Sequence, residues 1–188
     1  SGYGGTSRIL YKLFENKLKL EIDNFDLSQE NCLVNTLKNI EKNINIPVYN
    51  CSFLKIPVPD HNYNLVISED AFIHISDRSR IFKEVRRVLK PGGFLIFSDI
   101  ILDDNYSDNS IDEVYSRVKT KSLETSDSYK KLACDNGLTF INSIDYKSSM
   151  LTHYSNIRSV IENNTDNKDI IEGLDNWVKH IKQNNITT

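Results

Sequence analysis

The chain has 188 residues, 39% of them hydrophobic and 26% charged, which is the composition of an ordinary soluble globular protein of one domain. Its formal net charge is -3, and its basic and acidic residues alternate, which argues against nucleic acids and anionic membranes as partners. No apolar run approaches the roughly 20 residues that span a bilayer. Since no charged and then apolar leader is present, we expect a cytoplasmic protein whose oligomeric state the sequence leaves open.

Cysteines and histidines are spread along the chain without the spacing of a metal site. Cys32, Cys51 and Cys134 form no CxxC pair, and the 4 histidines are equally scattered. Asp70 and His74 make a DxxxH pair, but a zinc site needs further ligands and none stands nearby in the sequence. We therefore expect reduced thiols and no bound metal.

Helical and strand patterns alternate along the first part of the chain. A glycine turn, SGYGG, opens a segment with apolar residues at helical spacing. Ser28 stands where it can cap the next helix, and YNLVIS is apolar throughout, as is typical of a buried parallel strand. In chain order, the predicted elements are a helix over 8–18, a strand ending at Asp26, a helix from Ser28 through about Asn43, and strands over 46–53 and 63–68.

The pattern continues with an amphipathic helix that the PGG sequence is expected to stop. A polar, Ser/Asp-rich insertion over about 103–126 is expected to form a lid, and the chain is expected to end without a final strand. The remaining elements are a helix over 77–89, a strand over 94–101, a helix over 128–137, a strand over 138–146 and C-terminal helices over about 149–163 and 166–183. Four arginines are assigned to the exposed face of the helix over 77–89, without a catalytic role: Arg78, Arg80, Arg86 and Arg87.

This alternation predicts an α/β fold, in which helices cover both faces of a parallel sheet, in a single domain over residues 1–188. Ligands of such sheets bind beyond the carboxyl ends of the strands. Functional residues are therefore expected at the strand ends, namely Asp26, Ser52, Ser68 to Asp70, and Asp99.

The glycine turn and Asp26 together suggest a nucleotide cofactor. Glycines let a ligand approach the backbone closely, and a carboxylate about 20 residues further on is placed to bind ribose hydroxyls. Gly2, Gly4 and Gly5 do not complete the GxGxxG arrangement of dinucleotide sites. The turn is therefore either unliganded or adapted to a cofactor without a pyrophosphate.

Four segments together resemble the class I S-adenosylmethionine-dependent methyltransferases: SGYGG, FDLS, YNLVISEDAFIHI and RVLKPGGFLIFSD. Further segments, among them SRVKTKSLETSDSYKKLACDNGL, MLTHYS and GLDNWV, are similar to the sarcosine and dimethylglycine N-methyltransferases of glycine betaine synthesis. The chain departs from that family at Cys51, where a glycine is common, and at Glu69, where a glutamine is common. The resemblance implies a Rossmann-like methyltransferase sheet, N-terminally truncated so that its first strand is missing.

The resemblance also implies roles for individual residues toward S-adenosylmethionine. Gly2 and Gly4 would face its methionine part, and Asp26 its ribose. Leu27 would pack on the adenine, and Ser52 and Phe53 would hold the adenine edge. Ser68, Glu69 and Asp70 would follow the strand at which the sulfonium and the acceptor meet.

An amine acceptor must lose its proton before it attacks the methyl group, and Asp70 and His74 are our candidates to receive that proton. They are four residues apart and would share one helical face. A methylated amino acid calls for aromatic faces and a cationic clamp, for which we select Tyr154, Trp177 and Arg117 as substrate-binding residues.

Three functions remain open at this stage. The first is N-methylation of sarcosine or dimethylglycine toward betaine. The second keeps the cofactor but changes the acceptor to phosphoethanolamine, a phenol or a quinone, although acidic residues in the insertion, Asp103, Asp104 and Asp108, argue against a phosphorylated acceptor. The third is a noncatalytic binding domain that retains the fold.

Overall fold

The computed structural model describes residues 1–104, 106, 111–164 and 168–188. Its residues form two compact units. The first unit comprises Ser1–Ser68 and Lys83–Ile96, and the second comprises Glu69–Phe82 and Phe97–Thr188. The single-domain organisation stays a prediction, and part of the predicted lid, including Asp108, lies outside the described residues.

Strands and helices alternate through the first half of the chain, as predicted. The elements are α1 (Gly5–Phe14), β1 (Asn24–Asp26), α2 (Gln29–Glu41), β2 (Val48–Asn50), β3 (Tyr63–Glu69), a 3-10 helix (Phe72–His74), α3 (Arg78–Val88) and β4 (Leu89–Ser98). The predicted cap of α2 is confirmed, since the Ser28 hydroxyl accepts a hydrogen bond from the Asn31 N–H at 3.2 Å.

The second half is mostly helical. Its elements are β5 (Ile101–Leu102), α4 (Ile111–Val118), α5 (Ser126–Asp135), α6 (Lys147–Asn164), α7 (Lys168–Lys182) and β6 (Ile186–Thr187). The two predicted C-terminal helices are confirmed. Trp177 and Ile181 of α7 and Val114 of α4 are fully buried in the hydrophobic core of this unit.

The strands pair in twos among the described residues: β1 with β2, β3 with β4, and β5 with β6. β1 and β2 are parallel, with Asp26 opposite Asn50. The Asn62 N–H donates to the Val88 carbonyl at 2.8 Å and the Asp70 N–H to the Ser98 carbonyl at 2.9 Å, so β3 and β4 also run in one direction.

Four sequence predictions about these elements are wrong. β3 is not buried, since Leu65 and Ile67 are 44% and 39% exposed. An apolar run favours burial but does not specify which element will cover it. No described element covers Leu65 and Ile67 of β3. Residues 138–146 form no strand, the PGG sequence lies inside β4 rather than ending α3, and β6 is a final strand, antiparallel to β5.

Arg78 also contradicts its prediction, because it is only 2% exposed. Its guanidinium donates to the Ser122 carbonyl at 2.6 Å and forms an ion pair with Glu124 at 3.2 Å. Arg78 precedes Ile81 and Phe82 by three and four residues, so the helical period places it on the buried side of α3. The prediction that Arg78 is exposed followed from the positive charge of arginine and disregarded the helical period of α3.

No helix within the described ranges is long and apolar enough to cross a membrane. In the same part of the chain, no three His, Cys, Asp or Glu side chains are grouped closely enough to hold a metal ion.

Candidate functional site

The glycine turn before α1 has a backbone that only glycine adopts readily. Gly2 and Gly4 have φ angles of 50° and 70°, in the left-handed region. A Cβ atom on Gly4 would lie 2.0 Å from the Asn35 side-chain oxygen, whereas a Cβ on Gly2 would meet nothing within 4 Å. Gly4 is therefore required both by the backbone and by the close approach of α2.

A buried arginine fixes the turn against α2. The Arg8 guanidinium donates to the Asn35 and Asn39 side-chain oxygens at 2.9 Å and 3.0 Å and to the carbonyl of Tyr3. Sequence reasoning missed this residue. The available signal was Asn35 and Asn39, which lie one turn apart on α2 and are both buried. Buried polar side chains need hydrogen-bond partners, and Arg8 supplies them.

Asp26 lies directly beside the turn. Its carboxylate accepts from the Gly2 N–H at 2.7 Å and from the Ser28 N–H at 2.9 Å. Burial alone would raise the pKa of Asp26, but the hydrogen bonds from the Ser28 and Gly2 N–H groups lower it, and the net shift is downward. Asp26 also accepts from the Asn31 side-chain amide at 3.2 Å and from the Ser1 nitrogen at 3.1 Å, so a ligand with vicinal hydroxyls would replace one of these donors on the carboxylate.

The residue that follows β2 also contacts Asp26: the Cys51 N–H donates to the Asp26 backbone carbonyl at 3.0 Å. Burial and the neighbouring Cys32 raise the pKa of the Cys51 thiol. Ser52 accepts from the Leu54 N–H at 3.2 Å, and Leu27 is 67% exposed. The structure thus brings the predicted cofactor residues Gly2, Gly4, Asp26, Leu27 and Ser52 to one end of the β1 and β2 pair, with Phe53 following Ser52 and Ser68 near the end of β3.

Asp70 begins the candidate acceptor site in the second unit. It follows β3 with a φ angle of 47° and precedes the 3-10 helix that His74 ends. Asp70 therefore lies outside the helix and shares no helical face with His74, although the two side chains still interact electrostatically. Partial burial and Glu69 raise the pKa of Asp70, and His74 opposes them.

Arg117, Tyr154 and Trp177 lie together although they come from α4, α6 and α7. The Arg117 guanidinium lies 5.1 Å from the centre of the Trp177 ring, and the Tyr154 and Trp177 rings are 5.6 Å apart. Burial raises the pKa of Tyr154, Arg117 lowers it and Asp70 raises it. Trp177 is only 2% exposed, so the open members of this group are Arg117 and Tyr154.

A buried carboxyl group lies in the same unit. Asp99, the residue after β4, is 4% exposed, and the Tyr129 hydroxyl donates to it at 2.5 Å. The sequence marks Asp99 as a strand end but gives no sign of Tyr129, which is 30 residues away.

The chain belongs to the family of methyltransferase domains, whose pattern matches residues 1–97. The predicted methyltransferase fold and family are therefore confirmed.

Individual relatives are similar to the chain over nearly its whole length. A glycine/sarcosine/dimethylglycine N-methyltransferase from Actinopolyspora halophila is 30% identical over 95% of this chain and 33% of its own length. A sarcosine/dimethylglycine N-methyltransferase from Halorhodospira halochloris is 28% identical over 95% of this chain and 67% of its own. The crystal structure of a protein assigned as a sarcosine dimethylglycine methyltransferase, from Galdieria sulphuraria, matches with a TM-score of 0.89 and 28% identity over 99% of this chain and 72% of that one. The chain thus spans one third to about two thirds of the curated relatives.

Proposed function

We propose that the full-length protein is a cytoplasmic S-adenosylmethionine-dependent N-methyltransferase that acts on sarcosine or dimethylglycine toward glycine betaine. The relatives named for these two acceptors match nearly all of this chain, including the second unit. The methyltransferase pattern ends at residue 97, whereas these relatives also match the chain beyond it, where Arg117, Tyr154 and Trp177 lie.

For the cofactor, the proposal assigns the ribose to Asp26 and the methionine part to the glycine turn. Asp26 is ionised and accepts a hydrogen bond from the Gly2 N–H, so the same carboxylate would contact both the glycine turn and the ribose hydroxyls of the cofactor. When bound, S-adenosylmethionine supplies a methyl group on a cationic sulfur. Leu27 is exposed enough for an adenine ring to cover it, and Ser52 and Phe53 would line the adenine edge.

For the acceptor, the observation that carries the proposal is the grouping of a cation, a half-buried phenol and a carboxylate. Arg117 and Asp70 both act electrostatically on Tyr154. An amino acid such as dimethylglycine carries a carboxylate that suits the guanidinium and an ammonium that suits a carboxylate and an aromatic face. The arrangement of Arg117, Tyr154 and Asp70 is complementary to both ends of that molecule.

The chemistry requires the acceptor nitrogen to be neutral when it attacks. Asp70, with its raised pKa, receives the ammonium proton, and the exposed His74 can pass it to solvent. The remaining work is orientation, because no covalent enzyme intermediate is needed in a direct displacement.

The test is transfer of a labelled methyl group by the full-length protein to a panel of amines. We expect transfer to sarcosine or dimethylglycine and none to phosphoethanolamine, phenols or quinones. Transfer to phosphoethanolamine alone would contradict the acceptor assignment. Absence of S-adenosylmethionine binding in calorimetry would contradict the enzymatic proposal altogether.

A further inference from the structure

A hydroxyl group joins the loop after α4 to the 3-10 helix. Thr120 Oγ1 donates to the Ile73 carbonyl at 2.6 Å, across 47 residues of sequence. The Ser122 carbonyl lies 2.9 Å from the same hydroxyl, but it already accepts from the Arg78 guanidinium at 2.6 Å. Because a hydroxyl has a single proton, Thr120 gives it to Ile73. We call this contact the hydroxyl junction.

Backbone hydrogen bonds fix Thr120 to the end of α4. The Thr120 N–H donates to the Tyr115 carbonyl at 3.1 Å, and the Lys119 N–H donates to the Ser116 carbonyl at 3.3 Å. Lys119 has a φ angle of 54°, the left-handed conformation in which many helices end. The Thr120 hydroxyl therefore holds a fixed position relative to Arg117, which lies three residues earlier.

The other partner of the junction lies beside the candidate proton acceptors. Ile73 is 3% exposed and belongs to the 3-10 helix. The His74 and Ile75 N–H groups close this helix with hydrogen bonds of 3.3 Å and 3.1 Å to earlier carbonyls. His74 follows Ile73 directly, and Asp70 precedes it by three residues. A contact that holds Ile73 therefore also restrains the segment from Asp70 to His74.

Arg78 supports the junction from α3. Its guanidinium donates to the Ser122 hydroxyl at 3.0 Å and lies 3.4 Å from the Ile73 carbonyl. Arg78 is buried and pairs with Glu124, so its replacement would leave a partly buried carboxylate without its partner and destabilise the fold. Thr120 carries no charge, and it is therefore the position at which the junction can be tested without that cost.

We propose that Thr120 determines acceptor specificity: it fixes the span between Arg117 and Asp70 and so selects amines whose nitrogen and carboxylate are separated by one carbon atom. This inference rests on the proposed function, in which Arg117 binds the acceptor carboxylate and Asp70 its nitrogen. Each of these side chains lies three residues from one end of the junction. Thr120 acts through them and is a positioning residue.

The test compares Thr120→Val and Thr120→Ser in the full-length protein, with Thr152→Val as the matched control. Valine keeps the size of threonine and removes the hydroxyl, whereas serine keeps the hydroxyl. Thr152 on α6 is exposed, and its hydroxyl donates to the Ser148 carbonyl at 2.9 Å, so the control loses a similar bond elsewhere. The acceptors are dimethylglycine and N,N-dimethyl-β-alanine, which is longer by one methylene group.

We expect the wild type to prefer dimethylglycine in kcat/KM by at least about tenfold, because enzymes discriminate one methylene group by about 10- to 200-fold. Thr120→Val should lower this preference by about fivefold, the factor that one neutral hydrogen bond contributes to an equilibrium. Thr120→Ser and Thr152→Val should retain it. A loss of stability alone would reduce both activities in proportion, so an unchanged preference in Thr120→Val would overturn the inference.

Amide hydrogen exchange of His74 and Ile75 tests the junction without a substrate. Both amides should exchange about fivefold faster in Thr120→Val than in the wild type, and at wild-type rates in Thr120→Ser and Thr152→Val. If the wild type methylates neither acceptor, the proposed function fails and the specificity role fails with it, while the exchange rates still show whether the hydroxyl holds the 3-10 helix. Unchanged exchange in Thr120→Val would contradict the inference even in an active enzyme.

Discussion

The two units build their candidate sites in different ways. In the first unit, the turn, Asp26 and the Ser28 cap lie within 28 residues and are joined by hydrogen bonds from backbone N–H groups to side-chain oxygens. In the second unit, Arg117, Tyr154 and Trp177 come from separate helices and meet through packing. The contacts of the first site thus lie within residues 1–51 and use backbone N–H groups, whereas those of the second join side chains between residues 70 and 177, so the two sites should respond differently to mutation.

The largest effect is expected in the second unit, where burial raises the pKa of Asp99 to about 7 while its usual value is 3.8. The folded state then binds more protons than the unfolded state, so this group's contribution to stability is lost as pH rises from about 4 to about 7. Asp99→Asn removes the ionisation, and above pH 7 it should raise the free energy of unfolding by up to about 4 kcal/mol relative to the wild type. Urea unfolding between pH 4 and pH 8 measures this.

The same series run on Asp135→Asn should give a difference from the wild type that is small and independent of pH, because Asp135 is an exposed residue paired with Lys131. If the difference in unfolding free energy between Asp99→Asn and the wild type were also independent of pH, Asp99 would be ionised at no cost in the folded protein.

The next largest effect is expected in the first unit, at Gly4. Gly4→Ala forces a Cβ against Asn35 and disturbs its hydrogen bond with Arg8, in addition to the left-handed backbone cost of about 1–2 kcal/mol. We expect a loss of about 3 kcal/mol in urea unfolding. Gly2→Ala is the matched control, because it has a similar φ but open space, and it should lose only about 1 kcal/mol. Equal losses would show that the approach of Asn35 is unimportant.

Asp26→Asn tests whether the local site binds the cofactor independently of the acceptor site. Loss of charge-assisted hydrogen bonds of about 1.5–3 kcal/mol should weaken S-adenosylmethionine binding by about 10- to 100-fold in calorimetry. The acceptor KM at saturating cofactor should change little. Asp60→Asn is the control, since Asp60 is exposed and pairs with Arg87. An unchanged Kd would remove Asp26 from the cofactor site.

The smallest effect is expected at Arg117, which is exposed and contacts Trp177 through its face. Arg117→Ala should raise the acceptor KM by about tenfold, the value of one charge-assisted contact of about 1.5 kcal/mol, and leave cofactor affinity unchanged. Arg158→Ala on α6 serves as the control, because Arg158 pairs with Asp175 and Glu162 instead. Equal KM values for the two variants would exclude Arg117 from acceptor binding.

The local part of this molecule could be predicted from sequence because its signals are close together. The serine cap of α2, the glycine turn and the carboxylate at the end of β1 each carry a signal in their own short segment, although Gly4 also meets Asn35 and Asp26 also contacts Gly2. Even the buried Arg78 could have been found, since the period of α3 places it beside Ile81 and Phe82.

The non-local part could not be predicted in the same way. β6 has two residues and exists only through its pairing with β5, and the alternation over 138–146 produces no strand among the described residues. The contact between Tyr129 and Asp99 follows from the packing of α5 and is invisible in either residue's local sequence. Arg117, Tyr154 and Trp177 are selected from the chemistry of a methylated amino acid, which the family resemblance supplies as the product, and no sequence pattern predicts their contact.

The three cysteines differ in a way that makes the protein convenient to label. Cys32 is buried, and the thiol of Cys51 is half-buried with a raised pKa, so little of it is thiolate at neutral pH. Cys134 is exposed on α5, the helix that carries Tyr129. A maleimide dye should therefore attach first at Cys134 and provide a fluorescent reporter on this helix while an acceptor is added.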